Sequence, residues 1–291
     1  MNNRRNIMFV SIFAGALILT ACGGGQSAPA KVIPVFECLG SADTALVDLE
    51  CREVTVAVEN AYLPYNYIHS ETGLAGGWDY DVIPEICERL HCTPVFVEVS
   101  WDIMIQSVAD GLYDMAADGI TINPERDEIA DFSMGYVSID QRLLVRKGED
   151  RFTSIEEFAA NPDLIMGTQS ATTNYETAIK FLPEDRVKAF EQFPFAVQAL
   201  ISGDVDAVII DETAGTGYQG ENADTLDLIG PSISSDVLGF VFPTGSPLVQ
   251  PFNLALQSMM DDGTLTEINA KYWSGEFTVT YDDIEEVTYD E

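Results

Sequence analysis

From residue 52 to residue 211, short β-branched runs alternate with amphipathic helical stretches, and this alternation limits the fold more than any other feature of the chain. Val54 to Val58 reads as a buried strand, and Asp79 to Leu90 as a helix. The acids Asp79 and Asp81 fall in that helix's first turn, where the dipole favours negative charge. Pro94 to Val99 is the next strand, and Trp101 to Asp110 a helix closed by Gly111. The rhythm resumes with strand Leu164 to Gly167, helix Thr172 to Leu182, strand Val187 to Phe190, helix Phe195 to Ser202 and strand Ala207 to Ile210. Strands joined through helices pair in parallel, and helices then cover both faces of the sheet. Gln141 to Arg146 stands alone between the two groups and is expected to cross from one to the other. A last helix, Pro247 to Asp262, carries Leu248, Phe252, Leu256 and Met259 at helical spacing, a stripe read as core. The acidic stretch beyond Glu276 reads as a solvated extension.

The first 22 residues carry a different signal. Arg4 and Arg5 precede an apolar run, Ile7 to Leu19, and small residues follow it. That is the layout of a secretory leader. A run of about 13 residues is short of the roughly 20 that a bilayer span needs. Leu19-Thr20-Ala21-Cys22 resembles the lipobox, in which the cysteine is acylated and becomes the first mature residue. Gly23 to Lys31 reads as a flexible tether behind it. Export with a lipid anchor at Cys22 is therefore the expected location.

Losing residues 1–21 removes two arginines and no acids, which leaves 12 basic against 48 acidic residues, a formal charge of −36. Such a surface repels phosphate backbones and excludes a nucleic-acid partner. Solvation is its simplest use, and steering of cationic ligands a second. Because 46% of residues are apolar, the chain is not a disordered acidic tail. Beyond Cys22 there are four cysteines, Cys38, Cys51, Cys87 and Cys92, an even number that suits two disulfides outside the cytoplasm. Three connectivities are possible, and the local pairs Cys38–Cys51 and Cys87–Cys92 are expected. His69 and His91 are the only histidines and read as surface residues, so neither a metal site nor a Ser-His triad is well supplied, and no cofactor is expected.

Three clusters follow strands, where open α/β sheets bind ligands. Glu59 to Tyr65 follows the first strand. Gly119-Ile120-Thr121-Ile122-Asn123-Pro124-Glu125-Arg126 sets a hydroxyl and a guanidinium near a helix start, a pairing that suits a carboxylate. Gln169 to Asn174 is a second strand-to-helix turn, and Asp211 at a later strand end can receive an ammonium.

Read together, Tyr62-Leu63-Pro64-Tyr65, Gly77-Trp78-Asp79-Tyr80-Asp81, Trp101-Asp102, Gly119 to Arg126 with Asp131-Phe132-Ser133, and Val205 to Asp211 resemble the family 3 solute-binding proteins, extracytoplasmic receptors of polar amino-acid ABC transporters. The resemblance runs collinearly over about residues 52–275. It implies an α/β, two-lobe periplasmic-binding-protein type II fold with a two-strand hinge near Gln141–Arg146 and Leu238–Phe242. The implied division is residues 22–51 as tether and cysteine-stapled extension, 52–140 with 232–275 as one lobe, 141–231 as the other, and 276–291 as the acidic tail. It also implies that Arg126 and Thr121, with the backbone after Thr172, hold an α-carboxylate, that Asp211 takes the α-ammonium, and that Gly119 and Thr173 belong to the ligand-binding set. Tyr62 and Trp101 would pack on the ligand side chain, with Glu59, Asp118 and Gln169 at its tip. Two departures stand out: Asn123 replaces a usual threonine, and Ala171 a common glycine.

Each assignment has a plainer reading. Arg126 could pair with Asp131, Trp101 could be core, and Glu59 could serve lobe closure instead of ligand contact. Acids at both tip positions favour a cationic amino acid, since two buried carboxylates without a cation are costly. Glutamine is the neutral alternative. The same fold supports enzymes such as a cyclohexadienyl-dehydratase-like activity on a small carboxylate, with Glu59 or Asp118 as acid. The resemblance implies a receptor, a monomer that works with a membrane permease.

Overall fold

The computed structural model describes residues 31–221, 224–273 and 277–285. The expected leader, Cys22 and the tether up to residue 30 lie outside the described residues. Two five-stranded sheets carry the chain. The first runs in the order Cys92–Glu98, Arg52–Val58, Met115–Ala116, Val241–Pro243, Ala130–Phe132. The second runs Val187–Phe190, Met166–Gln169, Ala207–Asp211, Val137–Arg146, Leu226–Leu238. In both, three parallel strands are followed by an antiparallel one: Val241–Pro243 in the first, Val137–Arg146 in the second. The sheets are thus mixed where pure parallel pairing was expected, because each receives a strand that has crossed from the other.

The chain leaves the first sheet after Phe132 and returns after Leu238. The two crossings lie side by side: Tyr136 N–H donates to Leu238 O at 3.0 Å, Ser133 N–H to Phe240 O at 2.9 Å. This corrects the expected hinge strand. Gln141–Arg146 is no isolated crossover but lies inside the second sheet, paired on both sides. The crossings are walled by aromatics, with the Trp78 ring stacked at 4.6 Å on Tyr136 and 6.1 Å from Phe240.

The helix Trp78–Leu90 buries Trp78, Val82, Ile83, Ile86 and Leu90 on one face. It ends at His91, which adopts a left-handed φ of 56°. Its last carbonyls have no partner within the helix. The N-terminal extension supplies them: Leu46, Leu49 and Cys51 N–H groups donate to the carbonyls of Arg89, Leu90 and His91, each at 2.9 Å. Both cysteine pairs fasten this same end, with sulfurs 2.06 Å apart in Cys38–Cys51 and 2.12 Å apart in Cys87–Cys92. His91 is consequently not a plain surface residue. Its ring lies 2.8 Å from Asp48 and 3.1 Å from the Cys51 sulfur.

The tail is the clearest correction. Instead of a solvated extension, Phe277, Val279, Tyr281 and Ile284 pack on Leu63 and Tyr67. Ile284 bridges His69, so that histidine is also partly covered. Tyr281 lies flat on Tyr218, ring centres 3.5 Å apart, and its hydroxyl accepts the Leu63 N–H at 3.2 Å.

Candidate functional site

A cavity opens between the carboxyl ends of the parallel strands of the two sheets. All eleven residues expected from the sequence line it, together with Asn174 and Phe193. Glu59, Tyr62, Trp101, Asp118, Gly119, Thr121 and Arg126 come from segments joined to the first sheet; Gln169, Thr172, Thr173 and Asp211 come from the second. Gly119 is required: its φ is 58°, and a Cβ there would fall 2.9 Å from Tyr62 and 3.1 Å from Tyr65.

At one end stands Arg126. The short turn Pro124–Asp127 is capped by Asn123, whose side-chain oxygen accepts the Arg126 N–H at 2.8 Å. The unusual Asn123 therefore serves the turn. The guanidinium donates to Thr121 O at 3.0 Å and to Ala171 O at 3.4 Å, and lies 5.4 Å over the Trp101 ring. Trp101 thus packs beside the cation as well as lining the cavity. Among the described residues Arg126 forms no ion pair; Asp131 instead accepts the Gly245 N–H at 2.7 Å. Burial lowers its pKa, while Glu176, Asp236 and Asp211 raise it.

Opposite lies the start of the helix Thr173–Phe181. Ala171 takes the left-handed conformation, φ 57°, that its glycine counterpart would adopt freely, at a cost of roughly 1–2 kcal/mol. The Thr172 hydroxyl accepts the Tyr175 N–H at 3.1 Å and donates to Gln169 O at 2.7 Å. Helix N-termini of this kind attract anions. Next to it, Asp211 Oδ1 accepts from Asn174 at 3.1 Å and Oδ2 from the Tyr62 hydroxyl. Burial pushes the Asp211 carboxyl up to about 6. Tyr62, expected against a ligand side chain, lines the cavity; its hydroxyl donates to Asp211 across the cleft, and its ring stacks between Tyr65 and Phe193 at 5.3 and 5.9 Å.

At the other end are Glu59 and Asp118. Gln169 donates to Glu59 at 3.1 Å, and Asn66 donates to Asp118 at 2.6 Å. Burial, then the neighbouring Asp118, push Glu59 well above its ordinary range. Burial raises Asp118 to about 7, against the pull of Asn66 and the Glu59 backbone. Phe193 escaped the sequence reading because its helix was expected to start at Phe195, yet it begins at Phe193. Asn174 sat in the third cluster, and its position in the first turn of the helix was the available signal.

The sequence profile of bacterial extracellular solute-binding proteins, family 3, matches residues 54–275. The chain belongs to that family. It is 26% identical to a probable histidine-binding protein of Neisseria gonorrhoeae over 280 residues, 94% of this chain and 97% of that one. It is 27% identical to the L-cystine-binding protein TcyA of Bacillus subtilis, over 92% of this chain and 95% of that one. Among solved structures, the arginine-, lysine-, histidine-binding protein ArtJ of Geobacillus stearothermophilus superposes with a TM-score of 0.69 at 29% identity, covering 76% of this chain and 95% of that one. An ancestral arginine-binding protein bound to arginine gives 0.71 at 30% identity, covering 76% and 98%. These neighbours share the two-lobe type II fold, and they place the chain with binding proteins and not with enzymes. Among the described residues no helix is long and apolar enough to cross a membrane.

Proposed function

We propose that this protein is the extracytoplasmic substrate-binding component of an amino-acid ABC transporter and captures a cationic L-amino acid by closing its two lobes. The observation that carries this reading is the charge of the cavity: three buried carboxylates, Glu59, Asp118 and Asp211, and a single lining cation, Arg126. An amino acid's carboxylate suits Arg126 and the helix start at Thr173; its ammonium suits Asp211. That pairing leaves two acids, and a positively charged side chain offsets the cost of burying them. Neither lobe alone offers both Arg126 and Asp211, so the ligand binds the closed form more tightly and shifts the population toward it.

The strand crossings, after Phe132 and after Leu238, support lobe boundaries there in place of the expected 140/141 and 231/232, which would cut the strands Val137–Arg146 and Leu226–Leu238. An acylated Cys22, with the tether behind it, would hold a monomeric receptor outside the membrane within reach of its permease. Both cysteine pairs would be oxidised there. Isothermal titration against the twenty amino acids plus ornithine tests the proposal. One-to-one binding of arginine, lysine or ornithine supports it, whereas binding of glutamine without any basic amino acid removes the cationic specificity.

A further inference from the structure

Behind the acid end of the cavity lies a polar group that plays no part in the assignments above. Asn66, fully buried, is the cross-strand partner of Tyr62 in the small hairpin under the cleft. Its side-chain nitrogen donates to Asp118 Oδ1 at 2.6 Å and to Asp79 Oδ2 at 2.8 Å. Its side-chain oxygen accepts the Asn60 N–H at 2.6 Å. Only one orientation of the amide satisfies these partners, since a flip would set its oxygen against two carboxylates and its nitrogen against a donor. Asn60 immediately follows Glu59 and holds a left-handed φ of 64°. One amide therefore fixes both the turn that presents Glu59 and the carboxylate of Asp118.

We propose that Asn66 is the positioning residue that sets selectivity for a cationic ligand side chain, by holding Glu59 and Asp118 in one arrangement around its charge. The proposal rests on the cationic reading of the site. Asp79, at the start of the helix Trp78–Leu90, is the second carboxylate that the amide bridges, and it is fully buried. Without the amide, Asp79 and Asp118 face each other with no donor between them. Asp118 then loses a donor that holds it ionised, and burial favours its protonated form. A protonated Asp118 has no charge to offer a guanidinium, although it can still hydrogen-bond a neutral amide. Losing Asn66 thus penalises cationic ligands and spares neutral ones, a pattern that general loosening of the hairpin does not produce.

The test uses the whole chain and compares L-arginine with L-glutamine by isothermal titration, in wild type and in Asn66→Ala. The expected result is a loss of about tenfold or more in arginine affinity with glutamine changed by no more than about threefold, the scale of one charge-assisted hydrogen bond. A second readout is the pH profile. Around Asp118 stand Glu59 from the turn after the first strand, Asp79 from the helix, and the phenols Tyr80 and Tyr136. Asn66 holds the Asp118 carboxyl down, so in the variant the acid limb of arginine binding moves to higher pH and affinity recovers as the pH is raised further. Asn66→Ser keeps one donor and is expected between wild type and alanine; if the alanine variant does not fold, the serine variant decides by the same ratio. Equal losses for both ligands with an unmoved pH profile overturn the proposal. A wild type that binds no basic amino acid defeats the cationic reading itself, and is told apart because it shows before any substitution.

Discussion

The two ends of the cavity are built from opposite materials. At the Arg126 end, charge is held by the main chain: carbonyls of Thr121 and Ala171 accept from the guanidinium, and a helix start faces it. At the Glu59 and Asp118 end, charge is held by side-chain amides, Gln169 and Asn66. Main-chain groups are unchanged by most substitutions, so the first end suits the part that all amino acids share. Side-chain amides change with one codon, so the second end is where specificity can be set. Burial raises both Asp118, to about 7, and Asp211, to about 6; Asn66 and the Glu59 backbone hold the first down, and Tyr62, Asn174 and the Arg126 charge the second.

Breaking the shared end should have the largest effect. Arg126→Ala is expected to cost roughly 2–5 kcal/mol of affinity, the range for truncating one side of a buried charge pair, and to do so for cationic and neutral ligands alike. Titration calorimetry checks both the size and the lack of discrimination. Asp118→Asn breaks the other end only: about 1.5–3 kcal/mol lost for arginine, the scale of hydrogen bonds to charged groups, and little for glutamine. The pH dependence separates the ends without mutation. A raised carboxylate pKa means the ionised, cation-binding form is present above that value and lost below it. Arginine affinity should therefore weaken from about pH 7 downward as Asp118 protonates, and both ligands from about pH 6 as Asp211 does. The fall is roughly tenfold per pH unit for each proton displaced. Smallest is Tyr281→Ala. It removes the stack on Tyr218, worth about 0.5–1.5 kcal/mol. It should lower the thermal midpoint while leaving the arginine-to-glutamine ratio unchanged.

Most of this was readable in the residues. Strand runs such as Val54 to Val58 depend on local chemistry, so the elements could be named in advance, whereas the eleven lining residues were named through the family resemblance that motifs such as Gly119 to Arg126 carry. What escaped depends on contacts distant in sequence. Val137–Arg146 looked solitary because its partners, Ala207–Asp211 and Leu226–Leu238, lie more than sixty residues away. The tail looked solvated because acids surround it, yet Phe277, Val279 and Tyr281 alternate with polar residues, a strand-like signal of one buried face. Asn66 and Tyr62 carry roles that no motif announces: an amide between two carboxylates, and a hydroxyl spanning the cleft.

The central claim is that the acid end recognises a positive charge. Arginine and citrulline are nearly isosteric and differ there by the guanidinium alone. Titrating the full chain with both at pH 7.5 should give arginine the tighter binding by about thirtyfold or more, the equivalent of roughly 2 kcal/mol for a buried charge left without its partner. Equal affinities, or tighter citrulline, would contradict the account.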